Sequence, residues 1–125
     1  MKSLRVLMAS EIEEFAGKLF NEVIKGGGHH LTIFNPWQKE KEFLEEARGG
    51  GYDVVILTNI GLSWGYVKEL IAPVCHAGRA KVIVMSGFVG DDARKTALHE
   101  GAVAFYHLPF SAKQILEAVE AAAVE

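Results

Sequence analysis

Apolar residues fall into short runs separated by longer amphipathic stretches, and this alternation repeats five times along the chain. The first run, Leu4 to Ala9, is broken only by Arg5 and has the length of a strand buried on both faces of a parallel sheet. Beyond Ser10, the residues Ile12, Phe15, Ala16, Leu19, Phe20, Val23 and Ile24 recur at steps of three and one, which lines them along one stripe of a helix. Glu13, Glu14, Lys18, Glu22 and Lys25 take the opposite face. Ser10 and Glu13 have the spacing of a capping box, and Gly26 to Gly28 stop the helix.

His30 to Phe34 reads as the second strand, closed by Asn35 and Pro36. Phe43, Leu44 and Ala47, set in the charged run from Lys39 to Arg48, predict a helix that covers the sheet with one narrow face, ending at Gly49 to Gly51. Val54 to Leu57 is the most apolar run and β-branched at three of four positions, which makes it the central strand. Val67, Leu70, Ile71 and Val74 mark a third helix, and Lys81 to Met85 a fourth strand. Asp91 or Asp92 caps a fourth helix that runs through His99, Gly101 ends it, and Val103 to Tyr106 is the fifth strand. Ser111, with Gln114 three residues on, opens a last helix that turns Ile115, Leu116 and Val119 inward. Trp37 and Trp64 fall in expected loops at the carboxyl edge of the sheet. Strand and helix in strict alternation predict an α/β fold, a parallel sheet with helices on both faces.

Composition narrows the function classes. The 125 residues suit a single domain spanning 1–125, half hydrophobic and 23% charged, with an ordinary core. Thirteen basic against sixteen acidic residues give a net charge of −3, which disfavours nucleic acid as a partner. Cys75 is the only cysteine, so no intrachain disulfide and no cysteine-based zinc cluster can form. No apolar run reaches signal or membrane-span length, and the expected location is the cytoplasm. The pair His29 and His30 invites a metal site, but neighbouring strand residues point to opposite faces, and no metal or other cofactor is expected. The glycines at 26 to 28 follow a helix instead of opening one, unlike a phosphate-cradling loop.

Open parallel sheets bind ligands at the carboxyl ends of their strands. That rule selects Ser10 and Glu11, Thr58 to Gly65, Ser86 to Gly90, and His107 to Phe110. The stretches LRVLMASEIEEFA, YDVVILTNIGL and KVIVMSGFVGDDARKTALHEGAVAFYHLPF, with a closing amphipathic helix, resemble the receiver domains of bacterial two-component response regulators across nearly the whole chain. The resemblance implies a flavodoxin-like doubly wound sheet of five strands in the order 2-1-3-4-5. It also implies a phosphorelay pocket, in which an acidic pair holds Mg²⁺, an aspartate takes the phosphoryl group and a lysine neutralises it.

Mapped residue by residue, that pocket is degenerate. The acidic pair falls on Ser10 and Glu11, the phosphoacceptor on Thr58 and the lysine on Leu108. A threonine hydroxyl is not ionised at neutral pH and needs a base to attack phosphorus. Glu11 alone is a poor Mg²⁺ ligand set, and Leu108 supplies no charge to a phosphoryl group. The switch positions remain, as Ser86 for the hydroxyl and Phe105 for the aromatic. The implied partner surface runs over the fourth helix, fifth strand and fifth helix, with Lys95, His99, Tyr106 and Lys113, and Trp64 either fills the emptied pocket or faces a partner.

The expected function is therefore a phosphorylation-independent protein-interaction module in signal transduction, not an enzyme, with a signalling protein as partner. Two alternatives stand beside it: a phosphorelay receiver modified at a non-standard residue such as Thr58, and a small-molecule binder using the crevice at the strand ends. A homodimer through the fourth helix, fifth strand and fifth helix is a further option, since Ala118, Ala121, Ala122 and Ala123 allow close helix approach, and nothing in the sequence ranks it above a monomer.

Overall fold

Five apolar runs pair into one sheet in the computed structural model, which describes residues 3–10, 15–58, 64–87, 91–107 and 111–124. The elements are β1 (Arg5–Ala9), α1 (Phe15–Gly26), β2 (His30–Phe34), α2 (Pro36–Gly49), β3 (Val54–Thr58), α3 (Trp64–Ala77), β4 (Lys81–Ser86), α4 (Asp91–His99), β5 (Ala104–His107) and α5 (Ala112–Ala123). The strand order is β2-β1-β3-β4-β5, and every neighbouring pair is parallel. This is the doubly wound order that the resemblance to receiver domains implies.

Alternation along each strand feeds two separate cores. Leu7 and Ala9 of β1 join Phe43, Val67, Ile71 and Ala97 beneath α2, α3 and α4. Val6 and Met8 face the other way, with Phe20 and Ile24 of α1 and Ile115, Ala118 and Val119 of α5. Val54 to Leu57 of β3 are completely buried, so the central strand carries apolar side chains on both faces. Truncating Leu57 or Ile56 to alanine there would cost about 2–5 kcal/mol, because packed neighbours on either side cannot collapse into the space.

Several helix starts differ from the sequence reading. Pro36 is the first residue of α2, and the Asn35 side chain caps the helix by accepting from Trp37 N at 3.1 Å. Proline fits there because its missing N–H would have had no helical partner. Trp37 thus sits in the first turn of α2 and Trp64 opens α3, not in loops. Lys39 has non-helical angles, φ −137° and ψ 47°, which set that first turn of α2 apart from the rest. Asp91 and Asp92 are the first two residues of α4 and lie inside the helix. The Ser111–Gln114 capping box is present with both of its bonds, at 3.2 and 2.8 Å. Glu13, the expected partner of Ser10, lies outside the described residues. No described helix is long and apolar enough to cross a membrane.

Candidate functional site

The sheet register brings Ser10, Thr58 and Ser86 to the carboxyl ends of β1, β3 and β4. Ala9 stands opposite Leu57, and Thr58 opposite Met85. All three hydroxyl residues are fully buried. Thr58 Oγ1 donates to the Ala9 carbonyl at 2.7 Å, which ties its single proton to the neighbouring strand. The Ser10 amide donates to the Phe34 carbonyl at 3.0 Å, whereas its Oγ has no hydrogen-bond partner among the described residues. Glu11 and Leu108 lie outside the described residues.

Neutral hydroxyls at these strand ends do not suit the Mg²⁺ that a phosphorelay pocket would hold. That ion takes carboxylates, water and phosphate oxygens in a near-octahedral shell, and Thr58 is already committed to a backbone carbonyl. Among the described residues, no three His, Cys, Asp or Glu side chains gather into a possible metal site.

Trp64 and Phe105 meet on the α3 and α4 side of the sheet. Phe105 of β5 faces the α3 and α4 layer, and the first residue of α3 sets its indole edge-on to that ring, with centroids 6.2 Å apart and planes at 84°. This geometry places the positive edge of one ring against the negative face of the other. The next residue, Tyr106, packs on the α1 and α5 side of the sheet. With His107, Gln114, Glu117, Ala118 and Ala121 it lines a groove of about 400 Å³ between β5 and α5. Lys95 and His99 are exposed on α4. Lys113 is exposed on α5, with Nζ 3.8 Å from Glu117 Oε1. The predicted surface residues therefore lie on the edge strand and the two helices that flank it.

Other contacts were not visible from sequence spacing. His29 points inward and is 3% exposed, while His30 is exposed at the start of β2. Tyr66 of α3 reaches Pro36 O at 3.0 Å and Glu40 Oε1 at 2.8 Å, and its ring meets the exposed indole of Trp37 edge-on at 5.1 Å. Burial, followed by the Glu40 carboxylate, raises the Tyr66 hydroxyl above its ordinary range. At the opposite end of the sheet, Arg5 N donates to Asp53 Oδ2 at 2.9 Å, and its guanidinium reaches Gly50 O and lies over the Tyr52 ring. Burial, followed by the Glu100 charge, pushes the Cys75 thiol up to about 11, which suppresses the nucleophilic thiolate.

No family model and no curated protein matches the chain. Solved structures do match it, and they share one architecture. A response regulator from Thermotoga maritima is 19% identical with a TM-score of 0.81, covering 99% of this chain and 100% of its own. An orphan response regulator of H. pylori is also 19% identical with a TM-score of 0.79, and 97% of each chain is covered. A response regulator protein from Burkholderia pseudomallei, solved with a phosphorylated aspartic acid, calcium ion and citrate, is 22% identical with a TM-score of 0.79, over 98% of this chain and 69% of its own. The fold is that of response-regulator receiver domains, as the sequence resemblance implied.

Proposed function

We propose that this chain is a signalling module of the receiver type that acts by binding another protein and is not switched by aspartyl phosphate. One observation carries the reading. In the position that the resemblance gives to the phosphoacceptor, Thr58 is fully buried and its hydroxyl proton is spent on the Ala9 carbonyl. The Burkholderia pseudomallei protein carries a phosphorylated aspartic acid. Here a neutral side chain stands in its place, with no ionised oxygen to attack phosphorus. Such a module has no catalytic role of its own and works in the cytoplasm.

The face that meets the partner comprises Tyr106 and the groove beside it, Lys95 and His99 on α4, and Lys113 on α5. Its state is preset, because Trp64 packs on the aromatic that a receiver would move. Incubation with Mg²⁺ and acetyl phosphate, followed by intact-mass measurement with and without hydroxylamine, should give no adduct. Stoichiometric labelling overturns the proposal.

The Ser10 hydroxyl, without a partner among the described residues, favours a second reading, a small-molecule binder using the crevice at the strand ends. A thermal-shift series with nucleotides and flavins tests it. A concentration-dependent rise in melting temperature that Ser10→Ala removes would support that reading, and an unchanged melting temperature throughout would reject it.

A further inference from the structure

The corner between α1 and β2 closes on a buried histidine that the signalling proposal leaves unused. His29 Nδ1 accepts the backbone N–H of Leu4 at 3.0 Å, and Nε2 lies 2.8 Å from Glu120 Oε2 on α5. A ring nitrogen that accepts carries no proton, so Nε2 bears the hydrogen and donates it to the carboxylate. One imidazole thereby ties the entry of β1 and the turn after α1 to α5.

The turn is built to bring the ring there. His29 N donates to the Ile24 carbonyl at 3.1 Å, and Gly28 has a φ of +87°, a conformation that glycine takes without strain. A Cβ on Gly27 would lie 2.5 Å from Leu116 Cδ1 of α5 and 3.3 Å from His29 Cδ2, so a larger residue there would push the leucine side chain aside and crowd the imidazole.

We propose that His29 is a proton-operated latch on α5: a second proton on the imidazole breaks its bond to Leu4 and loosens the corner that holds the helix. The doubly protonated ring turns Nδ1–H directly against the Leu4 N–H. Two donors then face one another where the side chain is 1% exposed, and water cannot take over either bond. The Nε2–Glu120 contact survives and gains charge, which draws the ring towards α5 and away from Leu4.

The charged groups on the surrounding elements do not remove the conflict. Glu120 faces the ring directly, and Lys25 stands in the last turn of α1. Glu117, one turn earlier on α5, is engaged with Lys113, Arg5 of β1 reaches to Gly50 and Tyr52, and His30 of β2 is exposed. None of these supplies an acceptor for Nδ1–H. Gln114, Glu117 and Ala121 of α5 line the groove beside β5, so loosening the helix reshapes that groove.

Amide hydrogen exchange, corrected for intrinsic rates, tests the latch on the intact chain between pH 7.5 and 5.0. The Leu4 amide and those of α5 should lose protection by about tenfold or more relative to α3 as the pH falls, and His29→Gln should abolish that difference. Equal pH dependence in both proteins overturns the proposal, as does an unchanged Leu4 amide in the natural protein. Should His29→Gln fail to fold, ring ¹⁵N shifts of the natural protein decide. They should show Nε2–H alone at pH 7.5, and a doubly protonated His29 coexisting with a protected Leu4 amide would refute the latch.

Discussion

The indole of Trp64 stands edge-on to the ring of Phe105, joining the first turn of α3 to the edge strand β5. The two residues lie 41 positions apart in the chain. Both rings pack against the core on the α3 and α4 side of the sheet, and an edge-to-face contact of this kind restrains the Phe105 ring. Trp64→Ala should lower stability by about 1–3 kcal/mol, below the range for a fully buried aromatic because the indole is only partly buried. Urea unfolding would register this as a lower midpoint with an unchanged slope. An unaltered midpoint would mean that the indole does not hold Phe105.

Ser10 and Thr58 should respond to truncation with opposite signs. Ser10→Ala removes a buried hydroxyl that has no partner among the described residues and should raise stability by about 1 kcal/mol. Thr58→Val keeps the shape but leaves the Ala9 carbonyl without its donor, at a cost of about 1–3 kcal/mol. Paired urea titrations measure both. Two changes in the same direction would contradict the hydrogen-bond assignments.

Restoring the charges of a phosphorelay pocket should destabilise the fold. The variant S10D/T58D/L108K places carboxylates at two positions that are fully buried, where desolvation and mutual repulsion both penalise ionisation. Without divalent cation its urea midpoint should lie below that of the natural chain. A more stable variant would show that the neutral residues bring no stability.

Cys75 should be slow to alkylate at neutral pH. Its thiol is pushed up to about 11, first by burial and then by Glu100, and only the thiolate attacks iodoacetamide. The rate should keep rising as pH increases towards 11, past the range where an ordinary thiol levels off near 8.5. Glu100→Gln should shift this profile down only slightly, since burial is the larger cause. A plateau by pH 9 would rule out the suppressed thiolate.

Element type and order were legible because both follow from local periodicity. Runs such as Val54 to Leu57 and the stripe ending in Phe20 and Ile24 announce a buried strand and an amphipathic helix, and both occur as expected. The Ser111–Gln114 capping box was readable for the same reason, since its partners are three residues apart. Helix starts were harder to place. Pro36 both closes β2 and opens α2, and sequence alone does not say which role prevails.

The candidate site divides along the same line. Residue identity alone shows that Thr58 and Ser10 bring no carboxylate to the strand ends, because charge is a property of the side chain. Which hydroxyl would find a partner depended on the parallel pairing of β1 with β3, which sets Thr58 against the Ala9 carbonyl and leaves Ser10 Oγ without one among the described residues. His29 and Glu120, 91 residues apart, likewise gave no sign of each other along the chain. Periodicity and composition act over a few residues and therefore determined the layers of this protein, whereas its hydrogen-bond partners and aromatic contacts were decided by chain crossovers that bring distant strands and helices together.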